Sequence, residues 1–340
     1  MFHKLGLQKT VDFPIDLFLN ETPKLSIVTQ ASVVINNLVG PETGSSVNYN
    51  KMKSLRKAVA EAVERRCSML GGKVSNNMDG YVETWDLIKN DKSFIEQKYT
   101  RLLNGMVDTT ASAIHPNSSI AISNALKELF EKNSLFLFWY GLVGHKIKYV
   151  HYKNNNYFNF FEKSGFNVSV FINTYFNPLI TIIVITYKEN DQFICGLGTN
   201  TILETAIKHA FEEAFLIGYM RYYALMLGFS FEENIWTDRD NISHIQKLDK
   251  LDYVNFTSNN DCELTVKNIL SNKPKFITEL HVIYIEQFLL PSWKCARVYS
   301  KDLLNCLPLK DNIDLSSSIN QNTVLIDDVT LKDTPECPMS

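Results

Sequence analysis

The sequence has 340 residues, of which 45% are hydrophobic and 21% charged, so a wholly disordered or fibrous chain is excluded. With 34 basic and 37 acidic residues, its formal charge of -3 excludes the basic surface of a general nucleic-acid binder. The six cysteines are spread singly, which predicts neither a zinc knuckle nor a disulfide framework and favours a reducing compartment.

Neither export nor membrane insertion is predicted from the apolar segments. The first twenty residues contain no uninterrupted apolar run of signal-peptide length. The most apolar stretches, Leu135–Val143 and Leu179–Tyr187, are much shorter than the roughly 20 residues of a membrane-spanning helix. We therefore expect a cytoplasmic protein that binds neither membrane nor nucleic acid.

The first half of the chain contains two predicted helices. A strand is predicted at Ser26–Val34, and a turn-prone segment follows at Gly40–Ser46. Apolar residues at three- and four-residue spacing predict a helix over Lys51–Leu70, which Gly71 ends. A second helix is predicted from Ile120 to Asn133, because a Pro-Asn-Ser-Ser segment precedes it.

The second half begins with aromatic and β-branched segments that predict successive strands between residues 134 and 190. These segments are LFLFWYGLV, KIKYVHY, YFNFF, NVSVFINTY and LITIIVITY. A turn at Gly196–Gly198 is predicted to lead into a third helix, Ile202–Leu227. A polar linker over Glu232–Lys250, mixed α/β signals and a polar tail follow.

Segments of the three predicted helices share a pattern of glutamates. They are Ala58–Arg65, Ala125–Lys132 and Ala206–Glu213, laid over one another in that register. The first two contain E-x-x-E followed by a basic residue, and the third departs from this at His209 and Glu213. Residues three apart lie on one side of a helix, so each of the first two segments presents two carboxylates to the same place. A divalent cation stabilises such a pair, and Mg²⁺ prefers oxygen ligands, commonly together with phosphates.

The alternative interpretation is an ordinary charged helix face exposed to solvent. The apolar run containing Trp139 follows the second segment, where an exposed charged face is not expected to continue. This context favours a site. No histidine pair has the HExxH spacing, so no zinc site is predicted.

Taken together, these segments resemble the signatures of the YcaO family, ATP-dependent enzymes that activate peptide-backbone amides. The first signature, A-x-x-E-A-x-E-R after a Gly/Ser loop, is matched by Ala58–Arg65. The second, A-L-x-E-L-I-E-R-D with a later tryptophan, is matched by Ala125–Asn133 and Trp139. The third, A-x-x-R-A-L-x-E after a glycine turn, is matched by Gly196–Gly198 and Ala206–Glu213. The resemblance spans about residues 40–340.

The resemblance implies an α+β fold with helices packed on mixed or antiparallel sheets around one ATP and Mg²⁺ site. It implies an N-terminal segment over residues 1–40 and an ATP-binding domain over 41–340 with a proline-containing tail. The implied metal-facing carboxylates are Glu61, Glu128, Glu131 and Glu213. The implied nucleotide-binding residues are Glu64, Arg65, Lys132 and His209. In the tail, Pro338 and the terminal carboxylate of Ser340 are implied as catalytic, with Ser340 as a base.

Several positions depart from the family pattern. Lys132 and His209 stand where the family has arginines, and Asn133 where it has aspartate. Lys57 replaces a serine, and Leu216 a frequent glutamine. Lysine lacks the bidentate guanidinium and neutral histidine lacks the charge, so these changes predict a weaker grip on phosphate.

The function implied is azoline formation in a ribosomally made precursor peptide. A Cys, Ser or Thr side chain adds to the preceding amide, ATP phosphorylates the oxyanion, and phosphate leaves to give a thiazoline or oxazoline. The implied partners are the precursor peptide, a leader-binding E1-like protein and a flavin dehydrogenase, in a homodimer or hetero-oligomer. Two alternatives remain open: thioamide formation, and a catalytically weakened scaffold subunit.

Overall fold

A computed structural model describes residues 8–12, 23–35, 38–76, 78–100, 108–188, 193–226, 238–255, 262–287 and 289–338. Its strands are β1 (Gln8–Asp12), β2 (Lys24–Thr29), β3 (Val34–Ile35), β4 (Leu38–Val39), β5 (Thr43–Asn48), β6 (Tyr81–Asp86), β7 (Asp91–Glu96), β8 (Ser112–His115), β9 (His145–Ile147), β10 (Asn167–Asn173), β11 (Ile180–Tyr187), β12 (Phe193–Asn200), β13 (Tyr253–Val254), β14 (His281–Ile285) and β15 (Lys294–Tyr299). Its α-helices are α1 (Lys51–Leu70), α2 (Ser118–Gly141), α3 (Asn156–Lys163), α4 (Leu203–Met226), α5 (Asp238–Leu248), α6 (Val266–Ser271), α7 (Ser318–Asn322) and α8 (Asp328–Asp333).

The described strands form three main sheets and a short β3–β4 pair. The sheet orders are β1-β2-β5, β12-β11-β10-β9-β13 and β7-β6-β14-β15-β8. All these pairings are antiparallel except β13 with β9, which is parallel. Strands β5, β8 and β12 each form one edge of their sheet. The α+β prediction is therefore confirmed.

Three long helices pack against these edge strands: α1 on β5, α2 on β8 and β15, and α4 on β12. Glycines permit the closest approaches. A Cβ atom on Gly44 would overlap the carbonyl oxygen of Ala58, and one on Gly196 would overlap that of Ala210. The predicted turn at Gly196–Gly198 is thus wrong, since these residues lie within β12 and let α4 pack closely on it.

Two further segments that were predicted as strands lie in helices. The predicted strand at Leu135–Val143 is wrong, because α2 continues to Gly141. Every residue from Glu131 to Tyr140 is buried, and a helix buried all round has no amphipathic period to distinguish it from a strand. The YFNFF segment lies in α3, where the Asn155 side chain accepts hydrogen bonds from the backbone amides of Tyr157 and Phe158.

The other sequence predictions are met to varying degrees. Helix α1 has the predicted bounds, and Gly71 follows it at a positive φ of 71°. The segments NVSVFINTY and LITIIVITY contain β10 and β11 as predicted. Part of the predicted polar linker forms α5. Strand β2 of the N-terminal segment pairs with β5 across the predicted boundary at residue 40, and that boundary stays a prediction. Within the described residues, no helix is long and apolar enough to span a membrane.

Candidate functional site

The three edge strands and the helices that follow them form three equivalent strand–helix units: β5–α1, β8–α2 and β12–α4. In each unit two residues separate the end of the strand from the start of the helix. Asparagines cap two of the helices: Asn50 accepts from the Lys53 amide, and Asn117 accepts from the amides of Ser119 and Ile120. In the third unit Asn200, the last residue of β12, accepts from the Ile202 amide just before α4. An asparagine therefore accepts backbone hydrogen bonds beside the start of each helix.

The register of the helices is the same in all three units. The eleventh helical residues are Glu61, Glu128 and Glu213. The seventh residues are Lys57, Asn124 and His209, and the fourteenth are Glu64, Glu131 and Leu216. These positions share one face of a helix, and all nine residues line a single cavity of about 630 Å³. The cavity thus lies where the same face of three helices converges.

This register corrects the predicted alignment of the third segment. The sequence pattern sets Glu61 against His209, whereas the structure sets Glu61 against Glu213, about one helical turn later. Helix α4 has alanines at 206, 210 and 214, so the small-residue pattern fits either register equally well. Contact with β12 decides between them: Gly196 meets Ala210 and Ala214, as Gly44 meets Ala58 and Ala62.

Backbone amides of the edge strands β5 and β12 bind two of the glutamates at the eleventh helical position. Ser45 of β5 donates its amide hydrogen to Glu61 Oε2 at 2.9 Å, and Leu197 of β12 donates to Glu213 Oε2 at 2.6 Å. Glu61 Oε1 also pairs with Arg65 at 2.7 Å, and Arg65 donates to the Thr43 carbonyl oxygen at 3.1 Å. Each carboxylate is therefore fixed by its own unit before any ligand binds.

Burial dominates the electrostatics of these carboxyl groups. It raises the pKa of Glu128 and of Glu213 to about 7, with a further increase from Glu131, although Lys132 opposes both shifts. Burial, followed by the charges of Glu128 and Glu61, raises the pKa of Glu64 well above its ordinary value. The carboxyl groups thus hold protons more tightly than free glutamates do, because their negative charges are buried close together.

Lys132 is the cation inside this acidic cluster. Its side chain is 8% exposed, and its Nζ lies 3.5 Å from Glu131 Oε1. Burial alone would lower the pKa of Lys132, but the charges of Glu131, Glu213 and Glu128 raise it above its ordinary value. Among the described residues, six glutamates and four lysine or arginine side chains line the cavity, so carboxyl groups outnumber basic groups.

The donor chemistry fits Mg²⁺ held together with phosphates. Among the described residues, no three His, Cys, Asp or Glu side chains are grouped as a ready-made metal site. Mg²⁺ is usually held by one or two carboxylates, with waters and substrate phosphates completing its shell. The paired carboxylates of α1 and α2 suit that mode, because a bound cation favours their ionised forms.

The predicted site residues are brought together, apart from the tail. The lining includes all eight predicted metal- and nucleotide-binding residues. They are Glu61, Glu64, Arg65, Glu128, Glu131, Lys132, His209 and Glu213. Pro338 is not among the described residues that line the cavity, and Ser340 lies outside the described residues.

The described part of the tail is anchored beside α2. Trp139 Nε1 donates to the Pro335 carbonyl oxygen at 2.9 Å, and Glu336 Oε1 accepts from the Lys310 amide at 2.7 Å. Cys337 is completely buried. The Trp139 of the second signature therefore holds the chain near its C-terminal end.

The polar lining residues that sequence reasoning missed include Asn124, Lys127 and Glu212. Glu212 is paired with Lys57 at 3.1 Å and accepts from Asn48 Nδ2 at 3.2 Å. His209 is neutral, because burial lowers its pKa to about 3, helped by the charge of Lys127 and neighbouring lysines. The seventh-position register would have identified Asn124, since it takes the place of Lys57 and His209.

Comparisons with known proteins agree on the class that this fold and site define. A family model described as "YcaO cyclodehydratase, ATP- and Mg²⁺-binding" matches residues 81–224. A chain of the E. coli microcin synthetase McbBCD complex, with pro-MccB17 bound, is similar over 97% of this chain and 96% of its own, with a TM-score of 0.69 and 15% identity. A YcaO protein of Methanopyrus kandleri, bound with AMPPCP and Mg²⁺, is similar over 87% and 86%, with a TM-score of 0.66 and 11% identity.

A heterocyclase in complex with substrate and cofactor is also similar, with a TM-score of 0.63 and 11% identity. The similarity covers 88% of this chain and 50% of the heterocyclase. No curated protein sequence matches the chain. At these identities the solved structures share the fold, and the family model adds the sequence relationship. This chain is therefore similar to the YcaO family over residues 81–224, and the predicted cofactors, ATP and Mg²⁺, are those in the family description.

Proposed function

We propose that this chain is an ATP- and Mg²⁺-dependent cyclodehydratase subunit. Its substrate is a ribosomally made precursor peptide, in which Cys, Ser or Thr residues become azolines. The observation that supports the proposal most is the convergence of six glutamates and four basic side chains in one cavity. That composition suits a metal-bound polyphosphate better than a neutral or cationic ligand.

The reaction needs an activated amide oxygen. The side-chain thiol or hydroxyl adds to the preceding carbonyl carbon, and the resulting oxyanion takes the γ-phosphoryl group of ATP, releasing ADP. Loss of phosphate and of the amide proton then forms the C=N bond of the ring. One water is lost from the peptide per ring, while one ATP becomes ADP and phosphate.

The residues of the chain divide this work by position. Glu61, Glu128, Glu131 and Glu213 are proposed to hold Mg²⁺, which neutralises phosphate charge when bound. Glu64 supports this set from one helical turn beyond Glu61. Arg65 is tied to Glu61 and to the Thr43 carbonyl oxygen, so we assign it to orienting Glu61.

The similar proteins support a proposal for the substrate and the partners. One of them is a synthetase complex with a bound pro-peptide, and another is a heterocyclase with bound substrate. We propose by analogy that this chain acts on a precursor peptide within a multi-subunit complex, with a leader-binding E1-like partner and a flavin dehydrogenase. For the tail, we propose that Pro338 and Ser340 reach the reacting amide, with the Ser340 carboxylate as base.

Mass spectrometry of a reconstituted reaction tests the proposal. The purified chain, its partner and the precursor peptide are mixed with ATP and Mg²⁺, and we expect one water to be lost per ring with release of phosphate. A gain of sulfur with a sulfide source would instead establish thioamide formation. Intact peptide together with no ATP binding by the chain would establish the scaffold alternative.

A matched pair of variants separates the site from general effects. Glu131→Ala removes a lining carboxylate and is expected to abolish Mg²⁺-dependent ATP binding. Glu204→Ala removes an exposed glutamate in the first turn of α4, outside the cavity, and should bind ATP as the wild type does. Equal loss in both variants would contradict the proposed site.

A further inference from the structure

Lys127 differs from the other cations of the cavity in having no carboxylate partner. Lys57 pairs with Glu212 at 3.1 Å, Arg65 with Glu61 at 2.7 Å and Lys132 with Glu131 at 3.5 Å. Lys127 is the tenth residue of α2 and lines the same cavity. Within the part of the chain that the structure describes, its ammonium group forms no ion pair or hydrogen bond.

The charge of the Lys127 ammonium group shifts the pKa of neighbouring titratable groups. Its positive charge contributes to the lowered pKa of His209 and opposes the raised pKa of Glu213, both on α4, as well as that of Glu128 on its own helix. The charge of Lys127, which lies on α2, therefore influences two side chains of α4. His209 carries no charge there at neutral pH, because burial keeps its imidazole deprotonated.

The free-energy cost of binding an anion differs among these basic side chains. A phosphate that bound Lys57, Arg65 or Lys132 would compete with a carboxylate already at 3.5 Å or less. A phosphate that bound Lys127 would break no ion pair of the described residues. The free energy of a charge-assisted hydrogen bond is therefore more fully available at Lys127 than at its neighbours.

We propose that Lys127 is the main side-chain contact for the phosphates of a bound nucleotide, supplying from α2 the positive charge that His209 does not supply from α4. This inference rests on the proposed ATP site and names a residue of that site. It also explains how the cavity can bind polyphosphate although its α4 position carries a neutral imidazole.

Calorimetry with Mg²⁺ and a non-hydrolysable ATP analogue tests the role of Lys127. Lys127→Ala is expected to weaken binding by about ten- to a hundredfold, the size of one charge-assisted hydrogen bond. The loss should be much smaller with AMP, which lacks the outer phosphates. Lys208→Ala is the matched control, because Lys208 is 60% exposed and outside the cavity lining; its affinity should stay within about threefold of wild type.

A rescue experiment distinguishes charge supply from local packing. In the Lys127→Ala background, His209→Arg returns a guanidinium to α4 and is expected to recover at least tenfold of the lost affinity. Lys127→Gln keeps most of the side-chain volume and should fail as Lys127→Ala does. Thermal unfolding of each variant checks that the fold is retained.

The outcomes separate this inference from the proposed function. If the wild type binds no ATP analogue, both fall together. If the wild type binds it and Lys127→Ala binds equally well, the inference alone falls. Equal losses in Lys127→Ala and Lys208→Ala, or no recovery on adding His209→Arg, would also overturn it, since the loss would not depend on charge at this place.

Discussion

The β5–α1 and β12–α4 units share a backbone arrangement and differ in charge. In both, a strand glycine lets the helix approach closely, and a strand amide donates to the eleventh helical residue, Glu61 or Glu213. At the fourteenth position α1 has Glu64, whereas α4 has Leu216. Small residues and one partly buried glutamate therefore maintain the geometry, while the surrounding charges vary.

The close glycine–helix contacts that the two units share predict the largest effect. Gly44→Ala and Gly196→Ala each place a Cβ atom against helix backbone, which cannot move as a flexible side chain can. We expect each to lower the free energy of unfolding by about 3 kcal/mol, measured by denaturant titration.

Gly80→Ala is the control for these two substitutions. Gly80 has a φ of +76° but no atom within 4 Å of an added Cβ, so only backbone strain of about 1 kcal/mol is expected. If Gly196→Ala cost no more than Gly80→Ala, close packing of α4 on β12 would not be what fixes Glu213.

The shared glutamate predicts the next effect. Glu61→Gln and Glu213→Gln keep the side-chain shape and remove the charge, so each should weaken Mg²⁺-dependent ATP binding by about ten- to a hundredfold. Neither should destabilise the fold strongly, because burial already penalises both carboxylates. Calorimetry measures the affinities, and a large loss in only one variant would show that the two units are not functionally equivalent.

Sequence reasoning found the charged residues better than the elements that carry them. The E-x-x-E pattern and the resemblance identified Glu61, Glu128 and Glu131 without any structure, because their spacing on a helix is local. Glu213 was identified with the wrong register, since alanines four residues apart in α4 allow two alignments. Only the contact of Ala210 and Ala214 with Gly196, which is far away in the sequence, resolves that choice.

The missed features have a common physical cause. Helix α2 was predicted too short and α3 was predicted as a strand, because both carry dense aromatic segments. Burial of a whole helix erases the period on which such predictions depend. The free ammonium of Lys127 was also invisible in the sequence, since the absence of a partner is a property of three-dimensional neighbours.

The charge difference between the units predicts a smaller effect. Leu216→Glu would give α4 the second carboxylate that α1 has, next to a cluster of buried carboxyl groups. We expect the free energy of unfolding at neutral pH to fall by about 2 kcal/mol without Mg²⁺, and Mg²⁺ to recover part of it. Leu216→Gln is the control, which Mg²⁺ should not stabilise beyond wild type; equal responses of the two variants would contradict the metal-facing role of this position.

The seventh helical position predicts the smallest effect, in the pH dependence of stability. Burial lowers the pKa of His209 to about 3, so in the folded state the imidazole stays neutral while the unfolded state binds a proton below about pH 6.5. The unfolded state thus binds more protons in this range, and stability is complete above pH 6.5 and falls as the pH decreases toward 3. Since His209 is partly exposed, we expect its share of the loss between pH 6.5 and 5 to be about 1 kcal/mol. His209→Asn should remove that share from the pH dependence of the free energy of unfolding. A pH slope that is the same in wild type and in His209→Asn would mean that the imidazole becomes protonated without unfolding.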